Sequence, residues 1–459
     1  MIIYESDSRE VLNGQTFVAI KGETVDGHNY IGEAIKKGAT KIICEHEIDF
    51  DIPYEIVSDT KEYLSNALKN EYSKELKDLF IIGVTGTNGK TTSCFLIYQM
   101  LQKLNKKVAY IGTIGFYYQD DVIVLNNTTP DILELYKLLF YAKSKGCDTI
   151  VMEVSSHGLA FNRLNGINIS IAAFTNLTQD HLEFHKNMKG YLDAKLKIID
   201  LLKRDGTLIV NNDDKYSKDF AKRFKNVKSI GTNADYKIIN YDIKQHETRL
   251  KFSYDNKTYD VIMPLTSKFN IYNYLTMLSI VNQMGVSIDK IIKYTNDIKP
   301  PKGRCELYEF DEKYIVIDYA HTPDAVEKVI KAYIELKENK IITLLGCGGD
   351  RDSSKRPVMG KIATELSDYV IFTNDNPRTE DPEKIMSDIL KGVEKNNYDI
   401  VYDRAKAIEK AMEIMNKKDI LLILGKGHEN YQIIGHKKTH LDDSEEVLKF
   451  ISNNKKETL

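Results

Sequence analysis

Apolar residues along the chain form short continuous runs that alternate with runs of helical spacing. The segment LFIIGVTG at 79–86 is an almost continuous apolar run that ends in a glycine-rich turn, and TSCFLIYQMLQKL at 92–104 has the i, i+3, i+4 spacing of a helix. The strands KVAYIGT, DTIVMEVSS and SIAAFTNL and the helix DILELYKLLFYAKSKG continue this alternation. Apolar strands that alternate with helices predict a parallel sheet covered on both faces.

The segments on either side predict two further α/β units. Up to about residue 78, the predicted strands TFVAIK and KIICE accompany the helices YIGEAIKKGA and KEYLSNALKNEYSKELKD. Two prolines in DIKPPKGR at 297–304 end a helix and mark a linker. Beyond it we predict the strands KYIVIDYA, KIITLLGCGG, DYVIFTND, DIVYD and DILLILGKG, with helices between them. The turn-separated stretch 226–264 predicts an antiparallel flap on the middle unit.

The length and composition agree with three α/β domains, which we expect at 1–78, 79–301 and 302–459, because 459 residues exceed what one core accommodates. The net charge of -3 gives no support for a nucleic-acid or membrane-surface partner. No apolar run approaches the roughly 20 residues that cross a bilayer. The 5 scattered cysteines have no metal-site spacing, so we expect a reduced, cytoplasmic protein.

The sequence GVTGTNGKTTS at 83–93 has the context of a phosphate-binding loop, because a strand precedes it and a helix follows. The common spacing would put a glycine at position 84, where the chain has Val84. In such a loop Lys90 neutralises phosphate charge and Thr91 offers a hydroxyl to Mg²⁺. The alternative is a glycine-rich turn with an incidental lysine.

Other polar residues have both a functional and a structural interpretation. Glu153 ends a predicted parallel strand beside the loop, where it is either a Mg²⁺ ligand or a solvated charge. Lys195 lies on a lysine-rich amphipathic helix, a pattern typical of a surface lysine. Asn270 and Asn273 begin a predicted helix and are possible caps.

The motif TGTNGKTT resembles the ATP loop of the Mur ligase family, whose members are ATP-dependent amide-forming enzymes of peptidoglycan synthesis. The resemblance extends over nearly the whole chain, with the motifs in family order. It implies ATP and Mg²⁺ as cofactors and a P-loop central domain between a UDP-binding domain and a Rossmann-like domain. The implied ATP-binding residues are Gly86, Thr87, Asn88, Gly89, Lys90, Thr91, Thr92, Asn270, Asn273, Arg304 and Asp318.

The resemblance also implies residues for catalysis, metal binding and the nucleotide-sugar peptide. The implied catalytic residues are Lys90, His181, Lys195, Arg304 and Asp318, and the implied Mg²⁺ ligands are Thr91, Glu153, His181 and Lys195, the last as a carbamate. The implied contacts to the UDP-muramoyl dipeptide are Ser8, Glu23, Thr24, Val25, Asn127, Thr128, Thr129, Ser155, Phe161 and Arg163. Phe161 stands where familiar members have a polar substrate contact. Because the chain begins close to Ser8, we expect a remodelled uracil pocket.

The loop DNPR at 375–378 marks family members that add meso-diaminopimelate. Diaminopimelate is lysine with an additional carboxylate, which an arginine can bind through two hydrogen bonds. Glu429 would then bind the distal amino group. The implied contacts to the amino acid are Arg351, Asp375, Asn376, Pro377, Arg378, Gly425 and Glu429.

The leading interpretation is therefore a monomeric ligase that adds diaminopimelate to the UDP-muramoyl dipeptide through an acyl phosphate. The same step with lysine, lanthionine or another diamino acid is an alternative. A ligase similar to folylpolyglutamate synthase would share the ATP loop and the modified lysine, but would need neither the N-terminal domain nor DNPR. An ATPase switch is a further alternative from another class.

Overall fold

The protein, analysed as a computed structural model, is described for residues 2–22 and 25–456. Its N-terminal part is a small parallel sheet with strand order β1-β2-β3-β4. A side-chain cap from Asp59 starts the second helix, and Gly38, with φ of 109°, ends the first. The elements are β1 (Tyr4–Glu5), β2 (Thr16–Val18), α1 (Ile31–Lys37), β3 (Lys41–Cys44), β4 (Tyr54–Ile56) and α2 (Thr60–Tyr72), with 3₁₀ turns at Gly27–Tyr30 and Ser73–Leu76.

The central part is an 11-stranded sheet with strand order β15-β14-β13-β12-β11-β10-β5-β9-β6-β7-β8. Its strands are β5 (Phe80–Thr85), β6 (Val108–Gly112), β7 (Gly115–Tyr118), β8 (Asp121–Ile123), β9 (Thr149–Glu153), β10 (Ile169–Phe174), β11 (Leu202–Asn211), β12 (Val227–Gly231), β13 (Tyr236–Ile243), β14 (Thr248–Tyr254) and β15 (Lys257–Met263). Its helices are α3 (Lys90–Lys103), α4 (Ile132–Ser144), α5 (Ser156–Ala160), α6 (Leu182–His185), α7 (Met188–Leu196), α8 (Ser217–Ala221), α9 (Lys268–Gln283) and α10 (Ile288–Lys293), with 3₁₀ turns at Lys197–Leu201 and Thr295–Asp297.

The predicted flap is antiparallel only in its last three strands. β13, β14 and β15 pair antiparallel, as the alternating pattern predicts. β12, at the start of the predicted flap, instead pairs parallel with β11 and extends the central sheet. The prediction was wrong for this strand because a five-residue segment has too little periodicity to indicate its direction.

The C-terminal part has a 6-stranded sheet with order β16-β17-β21-β18-β19-β20, parallel except for β16, and a separate hairpin of β22 and β23. The predicted strand DIVYD is shorter and shifted, since β20 ends at Ile400. The elements are β16 (Glu306–Phe310), β17 (Lys313–Asp318), α11 (Pro323–Ile334), β18 (Ile341–Leu345), α12 (Lys355–Leu366), β19 (Tyr369–Phe372), α13 (Pro382–Leu390), β20 (Tyr398–Ile400), α14 (Arg404–Glu413), β21 (Ile420–Leu424), β22 (Tyr431–Ile434), β23 (Lys437–His440) and α15 (Asp443–Lys456).

Successive residues of the central strands enter different cores, as expected for a sheet covered on both faces. In β9, Ile150 and Met152 pack in one buried cluster, and Val151 packs in the cluster on the opposite face. β5 follows the same rule, with Ile81 on the first face and Ile82 on the second. Both faces are therefore closed to water, and the carboxyl ends of the strands are the places where polar groups gather.

Among the helices of the described residues, none is both long and apolar enough to span a bilayer.

A buried ion pair joins the last two helices of the C-terminal part. Arg404 opens α14 and Asp443 opens α15, and the guanidinium donates twice to the carboxylate at 2.7 Å. Both side chains are 0% exposed, and Arg404 also donates to the carbonyl of Leu424 at 3.1 Å. The pair therefore holds the end of β21, where the loop with Gly425 begins.

We expect Asp443→Ala to lower the free energy of unfolding by about 3–5 kcal/mol, because it leaves a buried guanidinium without its partner. Thermal and urea unfolding measure the loss. The control is Lys410→Ala, which removes a lysine that pairs with Asp399 at 2.6 Å with both side chains about 40% exposed, and which should cost no more than about 1 kcal/mol. Equal effects of the two substitutions would contradict the structural importance of the buried pair.

Candidate active site

The phosphate loop connects β5 to α3 and needs glycine at two points. Gly86 has a φ of 150°, and a Cβ atom there would lie 1.9 Å from the Thr175 hydroxyl. Gly89 has a φ of 84°, and a Cβ atom there would lie 2.4 Å from the Asn273 side-chain oxygen. The loop is therefore packed against neighbouring chain segments at both glycines, and the glycine spacing follows from those contacts.

Two lysine side chains meet at one carbonyl of this loop. Lys90 donates to the carbonyl oxygens of Gly86 at 2.9 Å and Thr87 at 2.8 Å. Lys195, on α7, donates to the same Gly86 oxygen at 2.8 Å. Lys195 is 1% exposed, so the surface position that its helical pattern suggests is wrong. Burial, reinforced by the charge of Lys90, lowers the pKa of Lys195 well below its usual value.

Loss of bulk water also lowers the pKa of Lys90, although the charge of Glu153 opposes this shift. The Lys195 ammonium nitrogen lies 4.6 Å from the centre of the Tyr191 ring, and the Tyr191 hydroxyl lies 3.2 Å from that of Thr87. The electrostatics of this end of the site therefore favour an anion close to both lysines, or a neutral Lys195 amine.

Glu153, at the end of β9, is fully buried and accepts four hydrogen bonds from three residues. Its donors are the hydroxyls of Thr91 at 2.9 Å and Tyr110 at 2.5 Å, and the amide and hydroxyl of Thr113 at 2.9 and 3.1 Å. Its alternative interpretation as a solvated charge is therefore wrong. The sequence analysis missed Tyr110 and Thr113. A polar tyrosine inside the apolar strand KVAYIGT was the available signal.

The carboxylate of Glu153 and the hydroxyl of Thr91 supply two hard oxygen atoms side by side, which suits Mg²⁺. Within the described part of the chain, however, no three His, Cys, Asp or Glu side chains converge on a common metal position. A metal bound at this point would therefore need further oxygen ligands from a substrate or from a modified Lys195.

His181 lies on the wall of the same cavity, in a backbone conformation with φ of 53°. Its ring is 4.8 Å from that of His157, and its Nε2 is 3.4 Å from the Asp180 carboxylate. Burial, with smaller effects from His181 and His185, lowers the pKa of His157 to about 4. The predicted metal ligand His181 therefore belongs to a group of three histidines that also includes His157 and His185.

Asn270 and Asn273 lie in the first turns of α9 without capping it, since the N-cap residue is Ser267. Asn273 donates to the side-chain oxygen of Asn270 at 2.9 Å, and Asn270 donates to the carbonyl of Thr266 at 2.7 Å. Both asparagines are buried. Asn273 lies beside Gly89, and neither asparagine is the N-cap, which disagrees with the interpretation as plain caps.

Arg304 and Asp318 bring the C-terminal sheet to the cavity. Arg304 donates to the Thr91 hydroxyl at 3.4 Å, and its guanidinium carbon lies 4.5 Å from the centre of the Tyr319 ring. Asp318 accepts the amides of Cys305 and Ala320, both at 2.8 Å. Burial raises the pKa of Asp318, and the charge of Arg304 opposes that shift. Tyr319, which the sequence analysis missed, supports the guanidinium through a cation–π contact.

These groups surround a cavity of about 640 Å³ between the central and C-terminal sheets. The cavity is large enough for a nucleotide. Of the residues predicted to bind ATP, the cavity wall includes Thr87, Asn88, Gly89, Lys90, Thr91, Thr92, Asn273, Arg304 and Asp318.

A second cavity, of about 800 Å³, separates the N-terminal sheet from the central part. Arg163 pairs with Asp131 at 2.8 Å, and its guanidinium lies 5.7 Å from the Phe161 ring centre. Of the residues predicted to bind the nucleotide-sugar peptide, the wall includes Ser8, Val25, Phe161 and Arg163. Glu23 and Thr24 lie outside the described residues.

The remaining described residues of that predicted set lie in the loop before α4 and directly after β9. Thr129 is buried, donates to the carbonyl of Glu153 at 2.8 Å and accepts the amide of Ser155 at 2.9 Å. Thr128 lines the 640 Å³ cavity instead, with its hydroxyl 3.0 Å from that of Thr113. Asn127 is half-buried in the same loop. This loop therefore joins the end of β9 to both cavities.

The loop at 375–378 and the loop after β21 are linked by hydrogen bonds. Asn376 donates to the Glu429 carboxylate at 2.8 Å, and Lys426 lies 3.2 Å from the same oxygen. A Cβ atom on Gly425 would lie 2.7 Å from the Asp375 carboxylate. Lys426 is 0% exposed, and the sequence analysis missed it because an isolated lysine in a glycine-rich segment gives no periodic signal.

Two arginines meet beside the glycine-rich loop that follows β18. Arg378, with φ of 55°, donates to the Gly349 carbonyl at 2.7 Å. A Cβ atom on Gly348 would be 3.0 Å from Arg378 and 3.9 Å from Arg351. Arg351 is exposed, and the carbonyl of Pro377 lies against Gly349. The predicted amino-acid contacts therefore come together around three neighbouring loops, which follow β18, β19 and β21.

Comparison with known proteins gives matches along nearly the whole chain. Residues 3–77 match the model described as "Mur ligase family, catalytic domain", residues 84–281 match "Mur ligase middle domain", and residues 303–427 match "Mur ligase, glutamate ligase domain". A relative from Fusobacterium nucleatum, named UDP-N-acetylmuramoyl-L-alanyl-D-glutamate--2,6-diaminopimelate ligase, is 41% identical over 454 residues, which are 96% of this chain and 92% of the relative.

Solved structures agree with these matches. A structure with the same ligase name is 32% identical, with a TM-score of 0.70, and the match covers 99% of this chain and 95% of that one. A MurF ligase from Thermotoga maritima in complex with ADP is 19% identical, with a TM-score of 0.70 and coverage of 99% and 98%. The second likeness concerns the fold alone.

We expect Gly86→Ala to weaken ATP binding at least tenfold, or by more than about 1.4 kcal/mol, because the added carbon collides with Thr175 and moves the loop. Calorimetric titration with ATP measures the effect. Gly285→Ala is the matched control, since that glycine has a φ of 87° with no atom within 4 Å of the added carbon. An unchanged affinity in Gly86→Ala would show that the loop does not bind the nucleotide.

Proposed function

The chain belongs to the Mur ligase family, and we propose that it adds meso-diaminopimelate to UDP-N-acetylmuramoyl-L-alanyl-D-glutamate with conversion of ATP to ADP and phosphate. The observation that carries this proposal is the match over almost the full chain to a relative named for that reaction. The fold agrees with it, since the chain has three α/β domains with a parallel-sheet central domain.

The proposed reaction begins with activation of a carboxylate. The γ-phosphoryl group of ATP moves to the side-chain carboxylate of the D-glutamyl residue, and ADP leaves. The neutral amine of diaminopimelate then attacks the acyl phosphate, the C–N bond forms, and phosphate leaves with the proton released to solvent. Lys90 and Arg304 neutralise phosphate charge, and both project toward the 640 Å³ cavity.

The chain must also keep water from the acyl phosphate, which would otherwise hydrolyse. The cavity wall comes from the central and C-terminal sheets together, so closing one against the other excludes water. We place the hinge at DIKPPKGR, and the domain boundaries at 1–78, 79–301 and 302–459 belong to the same proposal.

We further propose Mg²⁺ as a cofactor, with two ions held around the phosphates by Thr91, Glu153, His181 and a carbamate on Lys195. The adjacent oxygens of Thr91 and Glu153 support this choice. When bound, Mg²⁺ supplies positive charge to the phosphate oxygens. Of the other predicted ATP contacts, Asp318, Asn270 and Asn273 would hold the nucleoside.

The burial of Lys195 supports its modification. A neutral amine adds CO₂ and releases one proton to form a carbamate anion, and the lowered pKa of Lys195 favours the neutral amine. The carbamate places an anion beside the Lys90 cation, which is an attraction, and it creates oxygen ligands for Mg²⁺.

We assign the amino-acid pocket to Arg351, Asp375–Arg378, Gly425 and Glu429. Arg378 would bind the distal carboxylate of diaminopimelate, and Glu429 the distal amino group. Lysine lacks that carboxylate and would leave the Arg378 guanidinium without its partner. The pocket would therefore bind lysine less tightly than diaminopimelate. Lysine and lanthionine remain the alternative substrates for the test below.

We assign the 800 Å³ cavity, lined by Ser8, Val25, Phe161 and Arg163, to the UDP end of the acceptor. Glu23, Thr24, Asn127, Thr128, Thr129 and Ser155 complete that proposed set. We also propose that the enzyme works as a monomer in the cytoplasm on small-molecule substrates, without nucleic acid.

Phosphate release by the purified protein tests the function. We expect release only with ATP, the UDP-muramoyl dipeptide and meso-diaminopimelate together, and much less with lysine or lanthionine. Release from ATP alone would favour an ATPase switch, and release with folate and glutamate would favour a folylpolyglutamate-synthase-like ligase. A higher rate with lysine would overturn the proposed amino acid.

Arg378→Ala tests the amino-acid pocket. We expect the KM for diaminopimelate to rise roughly 10- to 100-fold, because a hydrogen-bonded charge pair is lost, while ATP binding changes little. Lys384→Ala, an exposed lysine on the following helix, is the control. An unchanged KM in Arg378→Ala would refute the role of Arg378.

Lys195→Ala tests the proposed carbamate. We expect kcat to fall at least about 100-fold, because a proposed oxygen ligand of Mg²⁺ is lost, and formate or acetate to restore part of the activity. Lys197→Ala, an exposed neighbour, should keep full activity. In ¹³C-bicarbonate, the unchanged protein should give a carbamate NMR signal that Lys195→Ala lacks. Full activity of Lys195→Ala would exclude this role.

A further inference from the structure

A carboxylate of the C-terminal domain reaches across to the phosphate loop. Asp324 is the second residue of α11, and its Oδ2 accepts from the side-chain amide of Asn88 at 3.1 Å and from the hydroxyl of Thr178 at 3.0 Å. Asn88 is in the phosphate loop, and Thr178 follows β10. We call Asp324, Asn88 and Thr178 the interdomain latch.

The two central-domain members of the latch are fixed by their own backbone contacts. The amide of Asn88 donates to the Asn176 side chain at 3.0 Å, and its carbonyl accepts from the Thr175 hydroxyl at 2.7 Å. The amide of Thr178 donates to the Thr87 hydroxyl at 3.0 Å. The side chains of Asn88 and Thr178 are therefore presented to α11 from a rigid base.

The C-terminal member is fixed in a similar way. The Thr322 side chain caps α11 by accepting the amide of Ala325 at 3.3 Å, and Pro323 occupies the first helical position. Lys328, one turn further along, donates to the same Oδ2 at 2.8 Å. The start of α11 is only a few residues from Tyr319, which supports Arg304.

The charge of Asp324 does not suit phosphate binding. A carboxylate close to the phosphate loop repels a triphosphate, and Lys328 compensates only part of that charge. Its hydrogen bonds to Asn88 and Thr178 are charge-assisted and connect two domains whose relative position determines the distance between the nucleotide and the amino-acid pocket. Its position is therefore explained by domain orientation and not by contact with a ligand.

We propose that Asp324 is a positioning residue that locks the C-terminal domain onto the phosphate loop in the orientation that the reaction requires. This inference rests on the proposed ligase function, in which the acyl phosphate forms in the central domain and its nucleophile is bound by the C-terminal domain. The latch increases the population of the closed arrangement, in which the C-terminal domain contacts the phosphate loop. In that arrangement Arg304 and the amino-acid pocket both lie close to the phosphates.

Asp324→Ala should lower kcat about tenfold, because loss of charge-assisted hydrogen bonds reduces the closed population by roughly that factor. The Kd for ADP should change less than threefold, since the phosphate loop itself is intact. Small-angle X-ray scattering with ADP should give a larger radius of gyration than for the unchanged protein. Asp324→Asn, which retains an acceptor oxygen, should recover part of kcat.

Glu327→Ala is the matched control. Glu327 lies on the same helix and pairs with Lys331 at 2.5 Å in the same i, i+4 arrangement, and no hydrogen bond of the described residues connects it to the central domain. It should leave kcat and the radius of gyration unchanged. Thr178→Val tests the latch from the other side without altering α11, and should lower kcat in the same direction as Asp324→Ala.

Several results would overturn the latch. An unchanged or raised kcat in both Asp324→Ala and Thr178→Val would exclude it, and a loss of ADP affinity equal to the loss of kcat would make Asp324 a nucleotide-site residue. If the unchanged protein shows no diaminopimelate-dependent phosphate release, the proposed function fails instead. The scattering comparison then still decides whether Asp324 holds the domains together.

Discussion

The whole site depends on two lysine ammonium groups that share one carbonyl oxygen, that of Gly86. Two ammonium groups that donate to the same oxygen atom repel each other strongly where water is excluded. This repulsion destabilises the folded protein unless negative charge lies close by or one of the two lysines is neutral. Phosphate oxygens would satisfy the first condition, and burial, which lowers the pKa of Lys195 well below its usual value, favours the second. The charges of the loop and of α7 therefore favour an anionic ligand at this position.

The sheet topology explains how these charges come together. β5 lies between β9 and β10 in the central sheet, so the phosphate loop, Glu153 and Thr175 leave three adjacent parallel strands at the same edge. Helix α7 adds Lys195, which donates to the Gly86 carbonyl, and the segment before β16 adds Arg304, which donates to the Thr91 hydroxyl. Each group comes from a different part of the sequence, and their convergence at one edge is a property of parallel strands.

The strands and the ends of elements were the most predictable features. Apolar runs such as those of β5 and β9 predict buried strands because both faces of the sheet are covered. The direction of β12 was not predictable, because pairing direction depends on the neighbouring strand. Lys195 shows the same limit: its helix has an ordinary amphipathic pattern, yet the loop covers the side chain completely.

The sequence by itself determined the α/β alternation, the phosphate loop and the family, and it supplied the residues that we propose for ATP and a diamino acid, because these are local patterns or motifs with fixed spacing. Only the tertiary structure decided that Lys195 is buried, that Tyr110 and Thr113 hold Glu153, and that Asp324 reaches Asn88 from 236 positions away in the chain. Burial and hydrogen bonds between distant segments depend on how whole sheets and domains pack, and no local pattern of residues encodes that packing.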